Sequence, residues 1–158
     1  MYGHRAGDAV LTRLAAVDVT PMRGLLGVTM YNQLRDSLAP GGKLRAPQYQ
    51  LNLQFTTSRA GLITARDSQV RRFNLVINAN YSLLDISSGS VLKSGFANAV
   101  TNYNVVETSN YGTSVAEEAA HLRSVKQISQ QIVWALSVFF KQQLSNPTKS
   151  YESNRPTS

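Results

Sequence analysis

Four arginines lie between residues 59 and 72, and they are the residues of this sequence best suited to bind an anion. They are Arg59, Arg66, Arg71 and Arg72, with Asp67 as the one carboxylate among them. Guanidinium groups make paired, charge-assisted hydrogen bonds to phosphate, which scattered lysines do less well. The cluster therefore predicts a binding site for a phosphorylated ligand. The alternative is a solvated charged loop that keeps one end of the protein soluble.

Residues that could perform catalysis are few and far apart. Cysteine is absent, and the two histidines, His4 and His121, have no second histidine at ligand spacing. Asp85 and Glu107 each lie near an expected turn, where carboxylates commonly bond the backbone. Gly41-Gly42 lacks the Lys-Ser/Thr sequel of a phosphate-binding loop. The sequence thus predicts a protein that is not an enzyme and holds no cofactor or metal.

Three segments alternate apolar and polar residues with a period of two, which predicts three long strands. They run from Tyr49 to Thr57, from Phe73 to Asp85 and from Leu92 to Val106. Their apolar positions face a core, while their other positions carry no ionisable side chain. Side-chain amides offer donors and acceptors without the cost of burying a charge. We therefore expect a partner interface, or else a solvated sheet face, at Asn52, Gln54, Val76, Asn78, Asn80, Phe96, Asn98 and Val100.

The remaining elements place these strands in one sheet. A short strand is expected within Leu11 to Pro21, a helix from Met22 to Leu38, and a long helix from the capping box at Ser114 to Leu144. The resulting order, β-α-β-β-β-α, predicts an α+β fold with a four-stranded mixed sheet and two helices packed on one face. Residues 1–144 form a single domain, and residues 145–158 are expected to be a disordered tail.

The net charge of +7 favours an anionic partner. A nucleic-acid-binding sheet would expose paired aromatic side chains for base stacking. Here the uncharged face offers only Phe96, since Tyr49, Phe55, Phe73 and Tyr81 occupy the inward positions. We therefore expect no nucleic acid among the partners, although a domain that binds nucleic acid through its phosphates alone stays open as the alternative function.

Two stretches carry a resemblance to a known family. The run V-L-K-S-G-F-A-N-A-V-T-N-Y-N-V-V-E-T-S-N-Y from Val91 to Tyr111 is followed by A-E-E-A-A at the start of the long helix. The preceding run R-F-N-L-V-I-N-A-N-Y-S-L-L-D-I-S-S-G spans Arg72 to Gly89. Both are similar to the lipopolysaccharide-assembly lipoprotein LptE of alphaproteobacterial type. The resemblance covers about Tyr49 to Leu144 well and the first strand and helix weakly.

This resemblance implies a non-enzymatic component of the outer membrane that faces the periplasm. Family members plug the β-barrel of LptD and help to deliver lipopolysaccharide to the cell surface. They are tethered by a lipidated cysteine shortly before a Leu-Tyr-Gly segment, of which Tyr2-Gly3 is present here. We therefore expect a lipid anchor on a residue outside this sequence. Related auxiliary lipoproteins share the architecture, so a role in another envelope transport system is an alternative.

Overall fold

A computed structural model describes residues 2–40, 46–62, 70–106 and 110–145 of the chain. Within these ranges it contains three helices and a four-stranded sheet in the order α-β-α-β-β-β-α. The elements are α1 (Tyr2–Ala15), β1 (Val17–Val19), α2 (Gly24–Leu38), β2 (Tyr49–Leu62), β3 (Val70–Asp85), β4 (Val91–Val106) and α3 (Asn110–Ser145). The predicted α+β class and mixed sheet are confirmed.

The sheet has the spatial order β1-β2-β3-β4. In agreement with the predicted mixed sheet, β1 pairs with β2 in parallel, because α2 carries the chain back across the sheet between them. The other two pairings are antiparallel and run for almost the full length of the strands. We call the end at which β2 leaves the sheet and β3 enters it the tip end, and the opposite end, where β3 turns into β4, the base end.

The predicted turn after β3 lies at the base end. The carboxylate of Asp85 accepts hydrogen bonds from the backbone N–H of Ser87 at 3.1 Å and from its hydroxyl at 2.9 Å. Gly89 adopts a φ of 71°, in the left-handed region that favours glycine, and its N–H donates to the Asp85 carbonyl at 2.7 Å. The turn therefore closes through the side chain of Asp85 and the backbone freedom of Gly89.

The core lies between the sheet and the helix layer. On the sheet it is lined by the inward positions in the middle of β3 and β4 and by Leu51 and Leu53 of β2, which are buried, whereas the inward positions of β2 from Thr57 to Gly61 are exposed. On α3 the stripe of Val125, Ile128, Ile132 and Leu136 is fully buried. Its last member is Phe140, whose ring is buried and lies 5.0 Å from the ring of Tyr49, whereas the neighbouring Phe139 is only partly buried.

The prediction of two helices was wrong, because α1 precedes the first strand. The segment from Leu11 to Ala15, expected to belong to a strand, is the end of this helix, and β1 contains only three residues. Helix α1 packs against α3, and the Arg13 guanidinium donates to the Gln143 side-chain carbonyl at 2.9 Å. Its position therefore depends on a contact between residues 130 positions apart.

Two glycines allow the sharp entry into α2. Gly24 has a φ of 84°, which L side chains rarely adopt. Gly27 is buried against Met22, so closely that a Cβ there would lie 2.9 Å from the Met22 Cβ. Glycine is less favourable than alanine in a helix by about 1 kcal/mol per residue. Here glycine is needed because the preceding loop packs tightly against the start of the helix.

Two buried hydroxyls join α3 to β4. The side chains of Thr101 and Ser124 are 6% and 0% exposed, and their oxygens lie 2.7 Å apart. A third buried hydroxyl, that of Ser129, donates to the Met30 sulfur at 3.6 Å and so links α3 to α2. Because buried polar groups need partners, these contacts fix how α3 is placed along the sheet.

We expect Ser124→Ala to lower the free energy of unfolding by about 1–3 kcal/mol, since it leaves the Thr101 hydroxyl buried without a partner. Thr101→Val combined with Ser124→Ala should recover most of this loss, because both polar groups are then removed. Urea unfolding followed by circular dichroism measures both effects. Equal losses in the single and double variants would show that the two hydroxyls act independently.

Candidate functional site

The uncharged face predicted from the sequence exists as one continuous surface, which we call the amide face. Thr56 pairs with Asn78, and Asn78 pairs with Asn98, so that one row of side chains crosses all three strands. The rows on either side hold the other predicted interface positions. All eight lie on the face opposite the helix layer: Asn52, Gln54, Val76, Asn78, Asn80, Phe96, Asn98 and Val100.

The amide face also presents apolar side chains to solvent. Phe96 is 61% exposed and Val100 is 54% exposed on β4, while Val76 lies half-buried beside Val100. The aromatic residues expected to point inward do so, and Tyr81 is 6% exposed. The surface is thus a polar wall with a few apolar points, which suits packing against another polar wall.

Charged residues border the amide face at both ends. Arg72 lies in its tip-end row, where it pairs with Asn104 of β4 and with Leu62 of β2. Asp18 of β1 lies beside Gln50 near the base end and is exposed. The uncharged part of the surface is therefore limited to the three long strands.

The described members of the predicted arginine cluster lie on two different faces of the sheet. Arg59 pairs with Leu75 on the helix-facing side, whereas Arg72 is exposed on the amide face. Arg71 lies in β3 opposite Val105, and Arg66 is outside the described residues. The structure therefore does not bring Arg59 and Arg72 onto one surface.

Arg59 is held by residues of three other elements. Its Nη1 donates to the Tyr103 hydroxyl at 3.3 Å and lies 3.6 Å from a carboxylate oxygen of Glu117, at the start of α3. Its guanidinium also stacks over the Phe73 ring, 4.8 Å from the centroid. The Tyr103 hydrogen bond, with the charges of Tyr103 and Glu117, raises the pKa of Arg59 above its ordinary value. Arg59 therefore has intramolecular partners, and Arg72 is the described member of the cluster placed for an outside ligand.

Side chains from α3 bond part of the free edge of β4. The Gln131 amide donates to the Asn98 carbonyl at 2.7 Å and accepts from the Asn98 N–H at 3.2 Å. About two turns earlier in the helix, Arg123 donates to the Asn102 carbonyl at 3.2 Å. These contacts satisfy edge groups that would otherwise be open to another strand. The contact of Gln131 could not be predicted from the sequence, because nothing in the sequence shows which strand an exposed helix residue contacts.

A cleft of about 470 Å³ lies in the helix layer between the start of α2 and the start of α3. Leu25, Leu26 and Leu122 form apolar walls, and Glu117 and His121 lie beside them. The His121 Nδ1 lies 2.8 Å from the Glu117 carbonyl one turn earlier, which is a local helix contact. The described residues contain no group of three side chains suited to hold a metal ion.

Fold and surface together define a class: an α+β domain with helices on one sheet face and an uncharged amide surface on the other. The family model of LptE, described as lipopolysaccharide-assembly, matches residues 12–136. The chain therefore belongs to the LptE family, and the resemblance expected from the sequence is confirmed. No curated protein gave a match.

Solved structures share the fold. A Caulobacter crescentus protein assigned as a lipoprotein has a TM-score of 0.68 and 22% identity, with 86% of this chain and 97% of the other covered. A minor lipoprotein of Acinetobacter baumannii has a TM-score of 0.56 and 16% identity, covering 77% of this chain and 88% of the other. No helix in the described parts of the chain is both long and apolar enough to cross a bilayer.

We expect Gln131→Ala to speed amide hydrogen exchange at Asn98, because its N–H loses the Gln131 acceptor. The amides of Ala97 and Ala99 should exchange as in the wild type, since they point to β3 rather than to the edge. Exchange measured by nuclear magnetic resonance gives the three rates in one experiment. An unchanged rate at Asn98 would mean that the Gln131 contact does not persist in solution.

Proposed function

We propose that this protein plugs the β-barrel of LptD through its amide face and binds lipopolysaccharide during delivery to the cell surface. The amide face is the observation that carries the proposal. The interior of a large outer-membrane barrel is polar, and a surface of amides and hydroxyls can pair with such a wall without burying unpaired charges. Eight predicted positions on one face, bordered by charge at each end, give this surface a defined extent.

Membership of a lipopolysaccharide-assembly family supports the choice of ligand and partner. In this proposal the protein is a non-enzymatic component on the periplasmic side of the outer membrane. A lipid anchor tethers it to that membrane. The amide face contacts the barrel wall, and the helix layer lies on the opposite side of the sheet.

The phosphate contact is proposed for the tip end of the sheet. Arg72 is exposed there on the amide face itself, and Arg66 and Arg71 are near it in sequence. Guanidinium groups bind phosphate with paired hydrogen bonds, and lipopolysaccharide carries phosphates on its lipid-bearing sugars. Arg59 lies on the opposite face with Tyr103 and Glu117 as partners, so we expect it to contribute less than Arg72.

The barrel contact is tested by adding charge to the amide face. Asn78→Arg and Asn98→Glu should leave the melting temperature near that of the wild type, since both side chains point away from the core. Each should lower co-purification with co-expressed LptD at least about tenfold, because an unpaired charge would be buried in the complex. Gln142→Glu, an exposed change on α3, is the control. Normal assembly by folded Asn78→Arg and Asn98→Glu proteins would make the amide face a solvated surface.

The ligand contact is tested by reversing charge at the tip end. Changing Arg71 and Arg72 together to glutamate should reduce lipopolysaccharide binding at least about tenfold at low salt. The difference from the wild type should shrink as salt rises and screens the attraction. Fluorescence titration with labelled lipopolysaccharide across a salt series measures both.

The control for net charge changes Arg35 and Lys141 to glutamate, since both are exposed in the helix layer. Arg59→Gln should lose less affinity than the Arg71 and Arg72 double variant. Equal affinity in that double variant and the wild type would remove the tip end from the site. Tight RNA binding by the wild type, without binding of lipopolysaccharide, would favour the nucleic-acid alternative.

A further inference from the structure

Most of the outer edge of β2 has no neighbouring strand. β1 pairs only with Tyr49, Gln50 and Leu51, whereas β2 continues to Leu62. The pairing ends where the Thr20 N–H donates to the Leu51 carbonyl at 3.0 Å, because the chain turns after Pro21 and enters α2.

The hydrogen bonds to β1 show which groups of β2 point to this edge. The Tyr49 N–H donates to Ala16 and the Leu51 carbonyl accepts from Thr20, so odd-numbered residues point their backbone groups toward β1. The Gln48 carbonyl accepts from the Ile86 N–H, so even-numbered residues point toward β3. Beyond β1, the backbone groups directed to the open edge therefore belong to Leu53, Phe55, Thr57, Arg59 and Gly61.

Each of these five residues presents one donor and one acceptor. No backbone group or side chain among the described residues bonds any of these backbone donors and acceptors. At the edge of β4, in contrast, Gln131 bonds the N–H and the carbonyl of Asn98, and Arg123 bonds the carbonyl of Asn102. One edge of this sheet is therefore bonded in part by α3, and the other has no such bond among the described residues beyond Leu51. Open edges of this kind are templates for an added strand.

We infer that β2 between Leu53 and Gly61 accepts an extended peptide segment of the barrel protein, which adds to the sheet as a strand beyond the end of β1. Donors and acceptors recur along the edge every two residues, a spacing of about 6.8 Å that matches an extended backbone. This inference rests on the proposed function, since it takes LptD as the partner.

The segment is expected to come from outside the barrel wall. In a closed barrel the strand backbones are already paired with their neighbours, so the wall itself has none to offer β2. A loop or terminal extension of LptD is free to pair. The same edge adjoins the amide face, because Gln54, Thr56 and Ser58 of that face alternate along β2 with the edge-directed residues. The surface that contacts the barrel wall and the edge that takes the added strand therefore form one continuous interface.

The side chains of β2 define the chemistry of the added strand. On the helix-facing side Leu53 is buried and Phe55 partly buried, whereas the positions from Thr57 to Gly61 are exposed, so the segment should carry apolar residues beside Leu53 and Phe55. On the amide face its neighbours are Gln54 and Thr56, which suit uncharged polar residues. We therefore expect an alternating apolar and polar segment of about five to eight residues.

The decisive variant is Thr57→Pro, with Thr57→Ala as the matched control. Proline removes the edge-directed N–H and is tolerated on edge strands, and the Thr57 side chain is exposed. Alanine shortens the same side chain but keeps the N–H. We expect Thr57→Pro to keep the circular dichroism spectrum of the wild type and to co-purify with LptD at least about tenfold less, while Thr57→Ala co-purifies normally.

Amide exchange in the wild-type complex provides a second test that does not depend on the folding of a variant. Strand addition should slow exchange at Phe55, Thr57 and Arg59, whereas Thr56 and Ser58 are already bonded to β3 and should change little. Normal co-purification of Thr57→Pro would contradict strand addition but not the plug proposal. The same holds if complex formation changes amide exchange equally at odd-numbered and even-numbered residues of β2. If the wild type formed no complex with LptD, both the plug and the added strand would be wrong.

Discussion

The pairing register of β3 with β4 determines which side chains meet the helices and which remain on the amide face. Ala79 pairs with Ala97, and Ile77 pairs with Ala99, so small or branched side chains lie beneath α3. A slip by one residue would turn Asn78 and Asn98 inward. Each amide would then be buried without partners, at a cost of about 1–3 kcal/mol. The uncharged face is thus a consequence of the pairing that builds the core.

Much of this arrangement could be predicted from the sequence, because strict alternation identifies a strand and divides its residues between two faces. The three long strands, the parallel first pair and the Asp85 turn all follow from local patterns. Helix α1 does not, since its place depends on distant contacts such as the one between Arg13 and Gln143. The division of the arginines was missed for a simpler reason. The strand was expected to end at Thr57, whereas its continuation places Arg59 on the same side as Phe55.

The two edges of the sheet differ because the chain covers them differently. Helix α3 runs beside β4 and reaches its edge with Gln131 and Arg123. At the other side Pro21 ends the short first strand, and α2 leaves in the direction of the helix layer. No local pattern in the sequence shows this asymmetry, because it depends on which strand the long helix accompanies. In the described residues, α3 therefore bonds Asn98 and Asn102 at one edge, while the other edge has no bond beyond Leu51.

Helix α3 and strand β4 have the same length, although they are built differently. The 36 residues of α3 rise about 54 Å at 1.5 Å each, and the 16 residues of β4 extend about 54 Å at 3.4 Å each. The apolar band of an outer-membrane barrel is only about 25 Å tall. In the proposed complex, a plug of this height standing upright in the barrel would span roughly twice the thickness of the surrounding hydrocarbon. At least one of its two ends, the tip end or the base end, would then stand clear of the bilayer.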